Sequence, residues 1–181
     1  MIAYKAFEPG LVCRRHRFQM GVNRTEKANC RQNGFHCAEN PFDCLTYYSD
    51  IHKSEYCLVD ARGDIDEDDV DTKIACTELI IIKRLSIEEF FLHGLAYMAD
   101  HPHQKWSHVN KDSAQAHNGY ALVRGSEPVA KGNLGDILAF AKEGITTGHV
   151  IQLAYAIVDG KEITPDTWYG VDLIERGCDE K

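Results

Sequence analysis

The sequence predicts an α+β protein with a mainly antiparallel sheet, two principal helices and a short β-solenoid-like segment. Three observations carry this expectation. Runs of β-branched and aromatic residues recur between Gly and Pro breakers, as in Ile2–Phe7 and Lys73–Leu85. Two stretches carry helix-start chemistry, Asn40-Pro41 and Ser86-Ile87-Glu88-Glu89. From Ser113 to Gly132 the texture changes to small residues punctuated by Gly, as in rungs of a β-solenoid.

Ile2 to Phe7 reads as an opening strand stopped by Pro9-Gly10, and Leu11 to Met20 as a second strand. Gly34 to Glu39 reads as a strand feeding a short helix. There Asn40 caps, Pro41 suits the first position, and Asp43 complements the N-terminal dipole. Phe42, Leu45 and Tyr48 share one face of that helix, which ends near Ser49-Asp50. Glu55 to Val59 alternates as a strand, and Lys73 to Leu85 is the strongest apolar run and the expected central strand. Ser86 to Glu89 is a capping box, with the Ser86 hydroxyl taking the Glu89 N–H and the Glu89 carboxylate returning to the Ser86 N–H. The apolar stripe Ile87, Phe90, Phe91, Leu95 and Met98 extends this into a helix over 86–99.

Asp100 to Asp112 is a polar connection carrying His101, His103 and His108, and it closes an N-terminal α+β unit over 1–112. A β-rich unit over 113–181 follows, packed on the first in one compact domain. Its two solenoid-like rungs are too few to stand alone. Leu134 to Ala141 suits helix or strand, His149 to Val158 reads as a strand ended by the turn Asp159-Gly160, and Trp168 to Ile174 as the closing strand.

Lys and Arg total 20 against 28 Asp and Glu, a formal charge of -8, which argues against direct binding to nucleic acid. The longest aliphatic run, Leu79 to Ile82, is far short of a membrane span. Met1 is followed by no basic-then-apolar leader, so a cytoplasmic location, in the host bacterial cell, and reduced thiols are expected for the seven cysteines. Cys13 and His16 stand at a C-x2-H spacing, and Cys30, His36, Cys37 and Cys44 follow closely. That spacing fits no common zinc finger, so core packing is the expected role and no metal or cofactor is assigned. His36 and Cys37 point to opposite faces of a strand, which argues against a catalytic dyad. The acidic run begins like a calcium loop at Asp64, Asp66 and Asp68. Asp69 then stands where Gly is needed and Ala75 where Glu is needed. The expectation is a solvated acidic loop, with Asp64, Asp66, Glu67, Asp68 and Asp69 available to a basic partner.

Tyr4-Lys5-Ala6-Phe7, Gly34 through Pro41 with Tyr47-Tyr48, Asp71 through Ala75, Ala130 through Gly135, and Val158 to Lys161 with Pro165 to Tyr169 resemble an uncharacterised family encoded mostly by bacteriophages and prophages. The resemblance implies an N-terminal α+β unit, an array of small-residue repeats that is almost deleted here, and a C-terminal strand pair. It brings no established activity. The charge at Arg14, Arg15, His16 and Arg17 departs from the family pattern.

The order of a strand with Tyr4 and Lys5, then Gly34-Phe35-His36, then a capped helix ending Tyr47-Tyr48, also looks like the NAD-cleft half of ADP-ribosyltransferases. Those enzymes present a late Glu. Glu78, Glu143 and Glu162 are possible here, none carries a motif, and no catalytic residue is assigned. Lys5, His36, Tyr47, Tyr48 and Lys73 are the ligand-site candidates.

The resulting expectation is a phage-derived accessory protein without catalysis. It would bind a host protein or a small signalling molecule in a counter-defence role. An ADP-ribosyltransferase-like NAD-binding enzyme is the first alternative. A virion structural protein that forms a homo-oligomer is the second.

Overall fold

The computed structural model describes residues 1–30, 32–67, 72–104, 106 and 108–177. The chain forms two compact units, Met1–Phe90 and Phe91–Lys181. The change of composition had placed the boundary at 112.

The first unit holds β1 (Ile2–Phe7), β2 (Val12–Cys13), β3 (His16–Arg17), β4 (Gly21–Arg24), β5 (Phe35–Ala38), a 3-10 helix (Pro41–Thr46), β6 (Glu55–Glu67) and β7 (Lys73–Leu85). The expected strand over Leu11–Met20 is instead a tight hairpin of two short strands, because Arg14 and Arg15 turn the chain back on itself. The second principal helix is one of 3-10 type. It stops early because the Tyr47 and Tyr48 N–H groups both turn back to the Cys44 carbonyl. β6 runs well past Val59, so Asp64, Asp66 and Glu67 lie on a strand rather than in a loop. Asp68 and Asp69 lie outside the described residues.

The strands are ordered β4-β7-β5-β1-β6, and β6 also pairs with β7, so the pairing closes on itself. The joints of this ring differ in strength. β6 and β7 form a long hairpin from Tyr56↔Leu85 to Glu67↔Ile74, and β1 follows β6 from Ile2↔Asp60 to Phe7↔Glu55. β5 follows β7 from Phe35↔Cys76 to Ala38↔Lys73. β1 and β5, by contrast, meet at one position, Tyr4↔Ala38, and then part.

Alternation along the strands sends Ala3, Phe7, Phe35, Cys37, Cys57, Val59, Ala61, Ile74 and Cys76 into one apolar core, joined by Leu79 and Ile81. On β1 the inward position between Ala3 and Phe7 is Lys5. Phe90 belongs to a separate packing group, stacked on Tyr56 at 3.9 Å and edge-on to Phe42 at 6.0 Å.

α1 (Ile87–Asp100) starts in the first unit and ends in the second. Its capping box forms as expected, with Glu89 N–H donating to the Ser86 hydroxyl at 3.1 Å and the Ser86 N–H to the Glu89 carboxylate at 2.9 Å. The second unit continues with β8 (Asn110–Gln115), β9 (Tyr120–Lys131), β10 (Ile137–Glu143), β11 (Val150–Ile157), β12 (Trp168–Gly170) and β13 (Glu175–Arg176). They form one sheet ordered β11-β10-β9-β12-β13, with β8 also on β9. β9 is parallel to both β8 and β10, and the remaining pairs are antiparallel. These two parallel pairs belong to one mixed sheet and do not show the expected solenoid-like segment. Val123, Leu138, Phe140, Val158 and Tyr169 lie in this unit's core. Phe91 leans on Tyr120 at 5.5 Å and Tyr155 at 6.3 Å.

The architecture is therefore mostly antiparallel sheet with few helices, consistent with α+β or mainly β. No helix among the described residues is long and apolar enough to cross a membrane.

Asn40 fixes the entry to the 3-10 helix. It is 1% exposed, its carbonyl oxygen accepts the Phe42 N–H at 3.0 Å, and its amide donates to Asp43 at 3.1 Å. Asn40→Ala removes the cap and leaves buried polar groups, so we expect a loss of about 1–2 kcal/mol in urea unfolding.

Candidate functional site

A cleft of about 610 Å³ opens in the first unit where β1 and β5 part. Continuing the Tyr4↔Ala38 register would set Lys5 against Cys37 and Ala6 against His36. Instead the Lys5 ammonium donates to the His36 carbonyl at 2.6 Å, occupying the place of a ladder bond. The Cys44 sulfur interacts with the Ala6 backbone on the neighbouring strand.

Each wall has a local cause. Gly34 starts β5 at φ +89, and a Cβ there would stand 2.8 Å from the Ala28 backbone, so only Gly lets the chain enter the strand at that angle. The 3-10 helix places Asp43 and Cys44 in the wall, followed by Tyr47 and Tyr48. The β2–β3 hairpin supplies Cys13, Arg14 and His16, and β7 supplies Lys73.

Lys5 is the unusual member. It is 5% exposed, yet among the described residues its ammonium has no carboxylate partner. It reaches the His36 carbonyl, the Cys13 sulfur at 3.9 Å, and the faces of Phe7 and Phe18, each centroid 5.2 Å away. A carbonyl and two ring faces offset part of the desolvation of a charge without neutralising it. Among the described residues Arg14 likewise forms no ion pair. Lys73 donates to the Tyr47 hydroxyl at 2.6 Å and lies 4.0 Å from that ring's centroid. The cleft thus carries Lys5, Arg14 and Lys73 against Glu8 and Asp43. Asp43 is already engaged, accepting from the Thr72 hydroxyl and N–H and the Asn40 amide.

His36 shares the cleft with all three cations. Burial, then Lys5, Lys73 and Arg14, lower its pKa to about 4, so the ring is neutral at pH 7. Burial and a hydrogen bond with Cys13 push the Tyr48 hydroxyl above its ordinary value. Burial raises the Cys44 thiol to about 12. The bond to Cys76, together with burial, holds the Cys37 thiol well above its usual range. These two thiols stay protonated and inert.

The structure brings Lys5, His36, Tyr47, Tyr48 and Lys73 to this one cleft. Glu78, Glu143 and Glu162 do not line it. Glu78 pairs with Arg24 at 2.7 Å, while Glu143 and Glu162 belong to the second unit. Asp64, Asp66 and Glu67 are also elsewhere, and Asp66 accepts the Cys30 N–H at 2.6 Å. Sequence reasoning missed Glu8, Cys13, Phe18 and Phe35 as wall residues, and treated Arg14 and His16 as a departure rather than part of the wall. The signal was the run Arg14-Arg15-His16-Arg17 beside a lysine-bearing strand. Among the described residues no cluster of three or more His, Cys, Asp or Glu is arranged to hold a metal ion.

The depressed His36 value has a sign. The stability it contributes is complete above the unfolded pKa near 6.5 and is lost as pH falls through about 4, because the unfolded chain takes up the proton first. In an NMR titration the His36 ring should show its midpoint near pH 4. The wild-type stability advantage over His36→Gln should shrink between pH 6.5 and 4.

A family model described as a domain of unknown function, DUF7666, matches residues 1–93, a span that contains every wall residue of the cleft. Neither a curated protein nor a solved structure matches the chain.

Proposed function

The chain belongs to the DUF7666 family, and we propose that its family domain is a capture module for a small anionic molecule bearing a flat ring. The observation that carries this is Lys5, a buried ammonium in the lining of an open cleft, with no carboxylate partner among the described residues. A protein that buries an uncompensated cation beside a cavity gains most when an anion enters. The rings of Phe18, Phe35, Tyr47 and Tyr48 supply the apolar and stacking surface that such pockets use to orient a ligand.

This reading favours the small-molecule branch of the expected accessory role. The phage source rests on the sequence resemblance, and the host-directed, counter-defence setting on the acidic charge of the chain. A basic partner docking on the acidic segment has weaker support, since Asp66 already serves the Cys30 backbone.

A second reading, NAD cleavage with ADP-ribosyl transfer, draws on the parted strands and on His36 and Tyr48 in one cleft. In that reading Glu8, a wall residue, takes the place of the three glutamates named from sequence. It requires that NAD be consumed and that Glu8→Gln stop the consumption.

The test of the capture reading is a thermal-shift panel of ADP, pyrophosphate, citrate and benzoate on the wild type and Lys5→Met. Met fills the volume beside Phe7 and Phe18, and water in the open cleft can serve the His36 carbonyl, so the variant should fold. We expect at least one anion to raise the wild-type Tm by several degrees at about 100 times its Kd, and Lys5→Met to lose the shift. A variant that keeps the full shift would refute the reading.

A further inference from the structure

We propose that the ligand of this cleft is phosphorylated and that its phosphate lies between Lys5 and Arg14, with Arg14 delivered by a strained turn. The proposal rests on the anion-capture reading above and goes further in naming the chemical class and the residue that reads it.

The turn is the independent observation. Cys13 pairs with His16 across the β2–β3 hairpin, leaving Arg14 and Arg15 as a two-residue loop. Their φ angles are 49° and 68°, the left-handed values of a type I′ turn, which Asn-Gly adopts readily and bulky side chains do not. Two arginines in succession make this hairpin harder to close than it needs to be. Flanking bonds hold it nonetheless, with Glu8 and Val12 exchanging backbone hydrogen bonds and the Phe18 N–H donating to the Leu11 carbonyl at 2.9 Å. Strain retained at a cleft rim points to a side chain that has to be there. Of the two, Arg14 lines the cleft and Arg15 does not.

The charge pattern selects the anion. Lys5 is a buried point charge, and Arg14 is an exposed planar fork with no ion pair among the described residues. A fork and a point charge on one anion suit the several oxygens of a phosphate dianion better than a single carboxylate. His36 and His16 line the same cleft as the two cations. The volume of about 610 Å³ leaves room for a ring system beyond the phosphate. The class is therefore a phosphate ester of an aromatic or heterocyclic group.

Isothermal titration of the full chain with ADP, pyrophosphate and citrate tests this, using wild type, Arg14→Asn, Arg14→Gly and Arg15→Gly. Asn and Gly both accept the left-handed backbone, so all three variants should fold, and Arg15→Gly should raise Tm by about 2–4 °C. ADP and pyrophosphate should bind wild type and Arg15→Gly alike, and about tenfold or more weakly to both Arg14 variants. Unchanged phosphate affinity in folded Arg14→Asn or Arg14→Gly would overturn the assignment of Arg14. Binding of citrate without either phosphate compound would overturn the phosphate class and leave the anion cleft standing. Binding of none of the three would overturn both.

Discussion

The bond from the Lys5 ammonium to the His36 carbonyl stands where β1 and β5 would otherwise have continued their ladder. Two neighbouring strands of a closed ring gain a hydrogen bond for each pair of facing groups they satisfy, so a gap between them has to be held open. Here a long side chain takes the carbonyl on one strand, and the Cys44 sulfur engages the backbone of the other. The His36 carbonyl on the parted seam is thereby supplied with a donor, as a buried backbone group requires. A charge at an inward position is expensive, and its partial compensation by Phe7 and Phe18 explains why those rings sit beside it.

The rest of the ring makes the seam affordable. The β6–β7 hairpin is the longest pairing in the unit, and β7 also holds β4 and β5 along its other edge. Stability is concentrated there, in a core that includes Val59, Ile74, Leu79 and Ile81. Cys37, Cys57 and Cys76 belong to the same core and act as small apolar side chains. Apart from Lys5 on β1 and Lys73 at the start of β7, many side chains facing the cleft sit on short or irregular pieces: a two-residue loop, the start of a four-residue strand, and the 3-10 helix with the segment that leaves it.

Much of this was legible in the sequence, for reasons that differ by element. Lys73–Leu85 and the helix after Ser86 were readable because a long apolar run and a capping box are local signals that tertiary structure rarely overrides. Lys5, His36 and Lys73 were named as candidates, and the topology that unites them is simple: β5 lies between β1 and β7, and Ala38 faces both Tyr4 and Lys73. The seam itself was not legible. Nothing in Tyr4-Lys5-Ala6 says that pairing stops after one residue, because the decision depends on the distant His36 carbonyl. The Arg14-Arg15 turn was missed for the opposite reason, since its sequence lacks the Asn-Gly that usually marks such a hairpin. Charge suppresses a strand signal in the acidic segment, although Asp66 is carried along by its pairing with Ala75 of β7 and the Asp64 N–H donates to the Thr77 hydroxyl.

The cleft's cations sit in a chain whose formal charge is -8, and this contrast has a kinetic meaning. At low ionic strength an approaching anion meets the repulsive field of the whole molecule before it comes within reach of Lys5 and Arg14. Added salt screens that distant field over about 8–10 Å and leaves the buried contact less affected. For the anion capture proposed above, entry would quicken with salt while residence shortens less, the reverse of electrostatic steering, with the outer surface rather than the pocket setting the rate.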